Sequence, residues 1–236
     1  MRKNGILGIV GGMGPVASAE FLKTIYEYSE GDREQEFPVV FVYSDPTFPD
    51  RTEAFLKGEE ELVLRQLVKA LKALLQMDAS KIVICCMTIH HLLPRLSPDL
   101  AERIISLLDV IAAHLPRTEK KHLLICSSGT RRFRLFENHK QRAVFEEYLI
   151  FPSDEDQEWI HRDLIYPIKK SPDPQSLLLL LDSLLAKYGV DSFAAGCSEI
   201  HVLSKHLAAA ANGQQGKYGC IDPLAIIARQ AAENRL

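Results

Sequence analysis

The chain is predicted to be an α/β protein of two similar lobes, each a parallel sheet flanked by helices. Three observations predict this. Short apolar runs alternate with longer amphipathic segments along the 236 residues. A turn of small residues follows the first apolar run of each half, Gly11-Gly12-Met13-Gly14 and Ser127-Ser128-Gly129-Thr130. A later apolar run in each half ends in Cys-x-x-x-His, at Cys86 and His90 and again at Cys197 and His201, with nearly the same spacing from the turn, as an internal duplication requires.

Taken in order, Ile6–Val10 is a first strand and Pro15–Glu30 a first helix, with Pro15 suited to a first helical position because its missing N–H is not needed there. Val39–Tyr43 is a second strand, ended by Ser44-Asp45-Pro46. Glu59–Met77 repeats apolar residues at helical spacing through Leu64, Leu67, Leu71 and Leu75. A strand into Cys86 and a helix near Pro98–Ala113 complete the half. The second half repeats the plan with a strand at His122–Cys126, a helix after the serine turn, a long helix at Gln175–Tyr188 and a strand at Ser192–Gly196. Residues 1–115 are expected as the first lobe and 116–210 as the second. Residues 211–236 are expected as a last strand and helix returning to the first lobe, after the polar stretch 212–216.

The composition is that of a soluble globular protein, 47% hydrophobic and 25% charged. A net charge of -3 gives no electrostatic case for nucleic acid or an anionic membrane. The run after Met1-Arg2-Lys3-Asn4 stops at Gly11-Gly12, too short for a signal sequence, and Leu177–Leu181 is too short to span a bilayer. Five cysteines without a C-x-x-C spacing read as reduced thiols, and a cytoplasmic location is expected.

The chemistry gathers at strand carboxyl ends, where open parallel sheets bind ligands. Cys85, Cys126 and Cys220 lie within or beside apolar strands and read as small buried hydrophobes. Cys86 and Cys197 end their strands where a helix begins, which favours a thiolate. Two matched thiols facing one carbon from opposite sides can remove and deliver a proton. His90 and His201, with Glu199 and Thr130, are supporting candidates. The same two cysteines and two histidines are also the donor set of a zinc site, but the spacing is poor for one and no metal is expected. Gly12-Met13-Gly14-Pro15-Val16-Ala17 fits a loose dinucleotide fingerprint, with Asp45 as the ribose acid, although such a turn holds a carboxylate equally well. Arg51, in Pro49-Asp50-Arg51-Thr52, suits bidentate binding of a carboxylate. Lys169 and Lys170 follow Ile165-Tyr166-Pro167.

Together, Gly11-Gly12-Met13-Gly14-Pro15, Pro49-Asp50-Arg51-Thr52, Cys86-Met87-Thr88 and Gly196-Cys197-Ser198-Glu199 resemble the aspartate/glutamate racemases that need no pyridoxal phosphate. Within that family the chain looks most like aspartate racemases. The resemblance implies two lobes about a pseudo-two-fold axis with the site in the cleft between them, often a homodimer, and no cofactor. It implies Cys86 and Cys197 as the acid/base pair, and Gly12, Met13, Gly14, Thr88 and Ser198 at the amino-acid end of an acidic substrate. Arg51 is implied at the side-chain carboxylate, with Lys170 by ungapped alignment or Lys169 by a one-residue shift. Three positions depart from the family: Met87 where asparagine is common, Ser198 where threonine is common, and His201 where proline is frequent. The competing expectations are a related glutamate or hydantoin racemase, a thiol-dependent decarboxylase, an NAD-binding oxidoreductase, and a non-catalytic amino-acid-binding module.

Overall fold

A computed structural model describes residues 5–170, 174–210 and 218–236. β1 (Ile6–Gly11) is apolar on both faces, with Ile9 and Val10 fully buried, as befits a central parallel strand covered by helices. α1 (Pro15–Glu27) turns Ala17, Phe21 and Ile25 inward at four-residue spacing. β2 (Val40–Ser44) follows, then α2 (Arg51–Leu56), capped by the Asp50 carboxylate, which accepts from the Glu53 N–H at 3.1 Å. α3 (Glu60–Gln76) buries one stripe, Val63, Leu67, Ala70, Leu71 and Leu74. β3 (Ala79–Ile84) returns beside β1. A 3-10 segment, Thr88–Arg95, and the single-turn α4 (Pro98–Ala101) lead to β4 (Ile104–Ile105). The sheet is wholly parallel in the order β2-β1-β3-β4.

The second lobe starts with α5 (Leu107–His114) and the fully buried β5 (His122–Cys126). α6 (Ser128–Arg132), α7 (Arg142–Tyr148) and β6 (Leu149–Ile150) follow. α8 (Asp154–Trp159) widens into a π-type turn at Ile160–Ile165 before α9 (Tyr166–Ile168). Pro167 accounts for the widening, because it has no N–H to donate and its ring excludes the Asp163 carbonyl from an ordinary helical turn. α10 (Pro174–Tyr188) lays Leu177, Leu181, Leu184 and Leu185 into a core with Phe193, Ile200 and Leu203. β7 (Ser192–Gly196), α11 (Glu199–Ala210), β8 (Gly219–Ile221) and α12 (Pro223–Ala232) complete the chain. The second sheet is also parallel, in the order β6-β5-β7-β8, so the two sheets share one topology.

The chain divides into two compact units, Met1–Leu107 with Leu224–Leu236, and Leu108–Pro223. The boundary falls between Leu107 and Leu108, after the first residue of α5 and ahead of the expected 115. The expected return of 211–236 is split: β8 pairs with β7 in the second sheet, and α12 alone is counted with the first unit. The polar stretch 212–216 lies outside the described residues. The single helix expected over 98–113 is two helices around β4, because Ile104 and Ile105 pair with Ile82 and Val83 at the sheet edge. Ladder hydrogen bonds and burial there override the helical pattern of the flanking residues. Among the described residues no helix is long and apolar enough to cross a membrane.

One buried group ties the second sheet to pH. His122 is 1% exposed, and its Nε2 meets Thr118 Oγ1 at 2.7 Å. The Thr118 hydroxyl donates to the Leu115 carbonyl at 2.8 Å, so Nε2 carries the ring proton, while buried Nδ1 has no hydrogen-bond partner. Burial, with help from Lys120, pushes the His122 pKa down to about 4. A pKa lowered by folding means that the unfolded chain protonates first, so stability is held above pH 6.5 and falls as pH drops toward 4. The expected loss is about 3 kcal/mol once pH is below both values. Urea unfolding of wild type and His122→Gln at pH 7 and pH 4.5 tests this: the variant keeps the donor to Thr118 and loses less stability in acid. Identical pH dependence in the two proteins removes His122 as the cause.

Candidate active site

In the first lobe, β1 is flanked by β2 and β3, and its carboxyl end is the switch point of the sheet. Gly12 turns there at φ 91°, and a Cβ on it would lie 2.3 Å from the Asp45 carbonyl carbon, so only glycine lets these two loops touch. The Gly12 N–H is held by Ser18 Oγ at 3.2 Å. The Arg51 guanidinium donates through Nη2 to the Met13 carbonyl at 3.0 Å and through Nη1 to the Pro49 carbonyl at 2.9 Å. This brings two motifs that are remote in sequence, the glycine turn and the arginine loop, to one place. Asp45 serves its own loop: its carboxylate accepts from Thr47 N–H and Oγ1, which hold its pKa down.

Cys86 follows β3 and is 5% exposed. The neighbouring Cys85 N–H bonds Val10 O at 2.9 Å, so the β1–β3 ladder runs to the edge of the glycine turn. Thr88 is buried in the next turn. His90 Nδ1 lies 2.9 Å from Cys86 O, and Nε2 accepts the Leu107 N–H at 3.2 Å. Since a main-chain N–H can only donate, the ring is neutral with its proton on Nδ1. Both ring nitrogens thus serve the backbone. The segment it occupies is 3-10 rather than α-helical.

The second lobe repeats the frame with different chemistry. Gly196 closes β7, and a Cβ there would lie 2.7 Å from Cys126 Cβ, so the glycine allows β5 and β7 to pack tightly at the site. Cys197 follows it, 7% exposed. Its thiol donates to Glu199 Oε2 at 2.8 Å, and Ser198 Oγ donates to the same oxygen at 3.2 Å. Burial first, then the Glu199 charge, raise the Cys197 pKa well above that of a free thiol, while Lys169 acts in the opposite direction. Lys169 is half-buried and Lys170 exposed, at 5.7 and 5.3 Å from the Tyr166 ring. Thr130 is fully buried and tied to Ser127, which caps α6 through the Thr130 N–H at 3.2 Å. His201 Nδ1 lies 2.7 Å from the Asp222 carboxylate, and both residues are buried.

Within the first lobe, then, Gly12, Met13, Gly14 and Arg51 gather about one strand end, with Cys86, Thr88 and His90 on the next. Within the second, Cys197, Ser198 and Glu199 form one hydrogen-bonded group under the influence of Lys169. Sequence reasoning missed Asp222 as the partner of His201, although an aspartate directly before a helix-starting proline is a capping signal. It also missed Gln157, whose side-chain amide donates to Cys126 O at 2.8 Å. No signal in the sequence links those two. Among the described residues no three His, Cys, Asp or Glu side chains converge to hold a metal ion.

The model of the Asp/Glu/Hydantoin racemase family matches residues 10–231. Among solved structures, the chain is similar to the aspartate racemase of Picrophilus torridus, at 22% identity and a TM-score of 0.77 over 97% of this chain and 94% of that one. It is also similar to an aspartate racemase homologue from Pyrococcus horikoshii, at 20% identity and a TM-score of 0.64 over 96% and 97% of the two chains. The glutamate racemase of Campylobacter jejuni matches at 16% identity and a TM-score of 0.57 over 97% and 85%. At these identities the likeness is one of fold, two parallel four-stranded sheets with flanking helices.

The Cys197–Glu199 contact is testable without a substrate. Glu199→Gln removes the carboxylate charge that raises the thiol, so Cys197 is expected to alkylate with iodoacetamide about tenfold faster at pH 8, one pKa unit being tenfold in thiolate. Peptide mass analysis reads each cysteine separately. An unchanged Cys197 rate means that burial alone holds the proton.

Proposed function

Because this chain belongs to the Asp/Glu/Hydantoin racemase family, we propose that it interconverts the enantiomers of an acidic amino acid, aspartate by preference, through two cysteines and without a cofactor. The observation that carries this reading is the repeated strand end: the third strand of each of two identically ordered sheets leads directly into a thiol, Cys86 in one and Cys197 in the other. One thiolate takes the α-proton, and the other cysteine, as thiol, gives its proton to the opposite face of the same carbon. For the reverse enantiomer the roles exchange. The C–H bond broken and the C–H bond formed balance, with no oxidant required.

The two cysteines enter the reaction differently. Cys197 donates to Glu199 as a thiol, so in one direction it is the acid and Cys86, once deprotonated, the base. When Cys197 must act as base, its proton passes to Glu199, which becomes a carboxylic acid as the thiolate forms, and Cys86 takes up a proton from water to serve as the acid. The carbanion formed at Cα spreads into the α-carboxylate, and donors there lower the barrier. The glycine turn, Thr88 and Ser198 are assigned this task. Arg51, fixed against the Met13 and Pro49 carbonyls, is assigned to the side-chain carboxylate. Lys169 is assigned the partner role in preference to Lys170, since Lys169 bears on Cys197 and Lys170 is exposed.

The first experiment is chiral chromatography of L-aspartate and L-glutamate incubated with reduced protein, beside Cys86→Ala and Cys197→Ala. D-aspartate from wild type and none from either variant is the expected result, with less D-glutamate. Product formed in deuterated water should carry deuterium at Cα, and racemisation without that label excludes the two-thiol route. Arg51→Lys loses the planar fork, and kcat/KM for aspartate is expected to fall roughly tenfold to hundredfold, mostly through KM. An unchanged KM places the side-chain carboxylate elsewhere.

A further inference from the structure

The duplicated histidines have no direct part in the chemistry above, yet both are almost wholly buried, at 4% for His90 and 0% for His201. In the first lobe the His90 ring spans from Cys86 O, at 2.9 Å, to the Leu107 N–H, at 3.2 Å. Leu107 opens α5, where a first-turn N–H has no acceptor within the helix, so the imidazole supplies one. Leu107 is also where the chain leaves its unit, since the division falls between Leu107 and Leu108.

The second lobe reaches the equivalent place by other atoms. The Ile200 and His201 N–H groups bond Cys197 O and Ser198 O, both at 3.1 Å, and close the thiol's turn. The His201 ring then donates from Nδ1 to Asp222 at 2.7 Å, and Ser204 one turn on donates to the same carboxylate oxygen. Asp222 follows β8 and precedes Pro223, the first residue of α12 and the last of its unit. Each histidine thus joins a thiol-bearing turn to a residue within two of the end of the fourth strand, where the chain crosses to the other unit. A main-chain N–H serves as anchor in one lobe and a carboxylate in the other.

We propose that His90 and His201 are positioning residues, each fixing its cysteine's turn against the chain crossover of its own lobe. The proposal rests on the two-thiol reading for its consequence in turnover, while its structural content is independent of it. Each histidine is replaced in the full chain by leucine and by asparagine. The readouts are Tm, kcat and KM for racemisation, and the iodoacetamide rate of each thiol. His90→Leu is expected to lower kcat by about 10- to 100-fold with KM within about twofold, the scale expected when a reacting group is slightly misplaced. It should alter the alkylation rate of Cys86 and leave that of Cys197, and His201→Leu should do the reverse.

Asparagine separates positioning from bulk stabilisation. Its Nδ2 can stand in for Nδ1, so His201→Asn keeps the bond to Asp222 and restores both rate and thiol reactivity. His90→Asn keeps the bond to Cys86 O, loses the one to Leu107, and fails to restore them. If the leucine variants do not fold, this contrast decides alone. Equal rescue at both positions overturns the proposal, as does a lowered Tm with wild-type kcat and wild-type alkylation rates. If the wild type fails to racemise any acidic amino acid, the two-thiol reading falls, and the alkylation rates still decide the positioning role.

Discussion

The central strand pair of each lobe, β1 with β3 and β5 with β7, runs parallel and in register to its carboxyl end, and the candidate site hangs on that ladder. Val10 pairs with Ile84 and the Cys85 N–H extends the ladder one bond further; Cys126 pairs with Gly196 at the matching point. A slip of one residue in either pair would turn each cysteine to the opposite face of its sheet. Toward their carboxyl ends these four central strands are buried on both faces, so hydrophobic contact alone discriminates weakly against such a slip and shape adds to the constraint. Gly196 does this between β5 and β7, where it admits the Cys126 Cβ, and Gly12 fixes the β1 turn against the Asp45 backbone after β2. The thiols are placed by backbone geometry first and by side-chain contacts second.

From a duplicated frame the two lobes have become electrostatically unequal. In the first, the cationic element is Arg51, immobilised by two carbonyls near the glycine turn. In the second, the thiol itself is engaged by a carboxylate, with Lys169 as the opposing charge. The Glu199 contact stabilises the protonated form of Cys197. Ser198 donates to the same oxygen, which keeps the carboxylate oriented as well as charged. A buried carboxylate with two donors is strongly held in place.

The histidines show how a repeated motif can keep its position and change its partners. His90 acts through two main-chain groups and requires the neutral ring, whereas His201 acts on a carboxylate. The common element is mechanical. Each connects the thiol turn with a residue within two of the end of the fourth strand, where the chain passes to its other unit.

Apolar run length and the small-residue turns made most of the frame legible in advance: β5 and β7 fall on the expected residues, and α3 and α10 within one residue of them. The cysteines, Arg51 and the glycine turn were recognisable because their residue types are chemically distinctive in their local settings. What the chain could not display were pairings set by three-dimensional contact alone. β4 is two residues long, too short to show a period, and exists because it adds hydrogen bonds to β3. Lys169 and Lys170 are equivalent in sequence, and only the wide turn forced by Pro167 and the packing of α9 leave one half-buried and the other exposed. The bonds from His90 to Leu107 and from His201 to Asp222 span about twenty residues and involve a main-chain N–H in one case, which has no signature in a sequence. Local propensity and apolar pattern thus determined the elements and the reactive residue types, and the tertiary structure decided protonation, orientation and partner, because those depend on which atoms burial brings within hydrogen-bond reach.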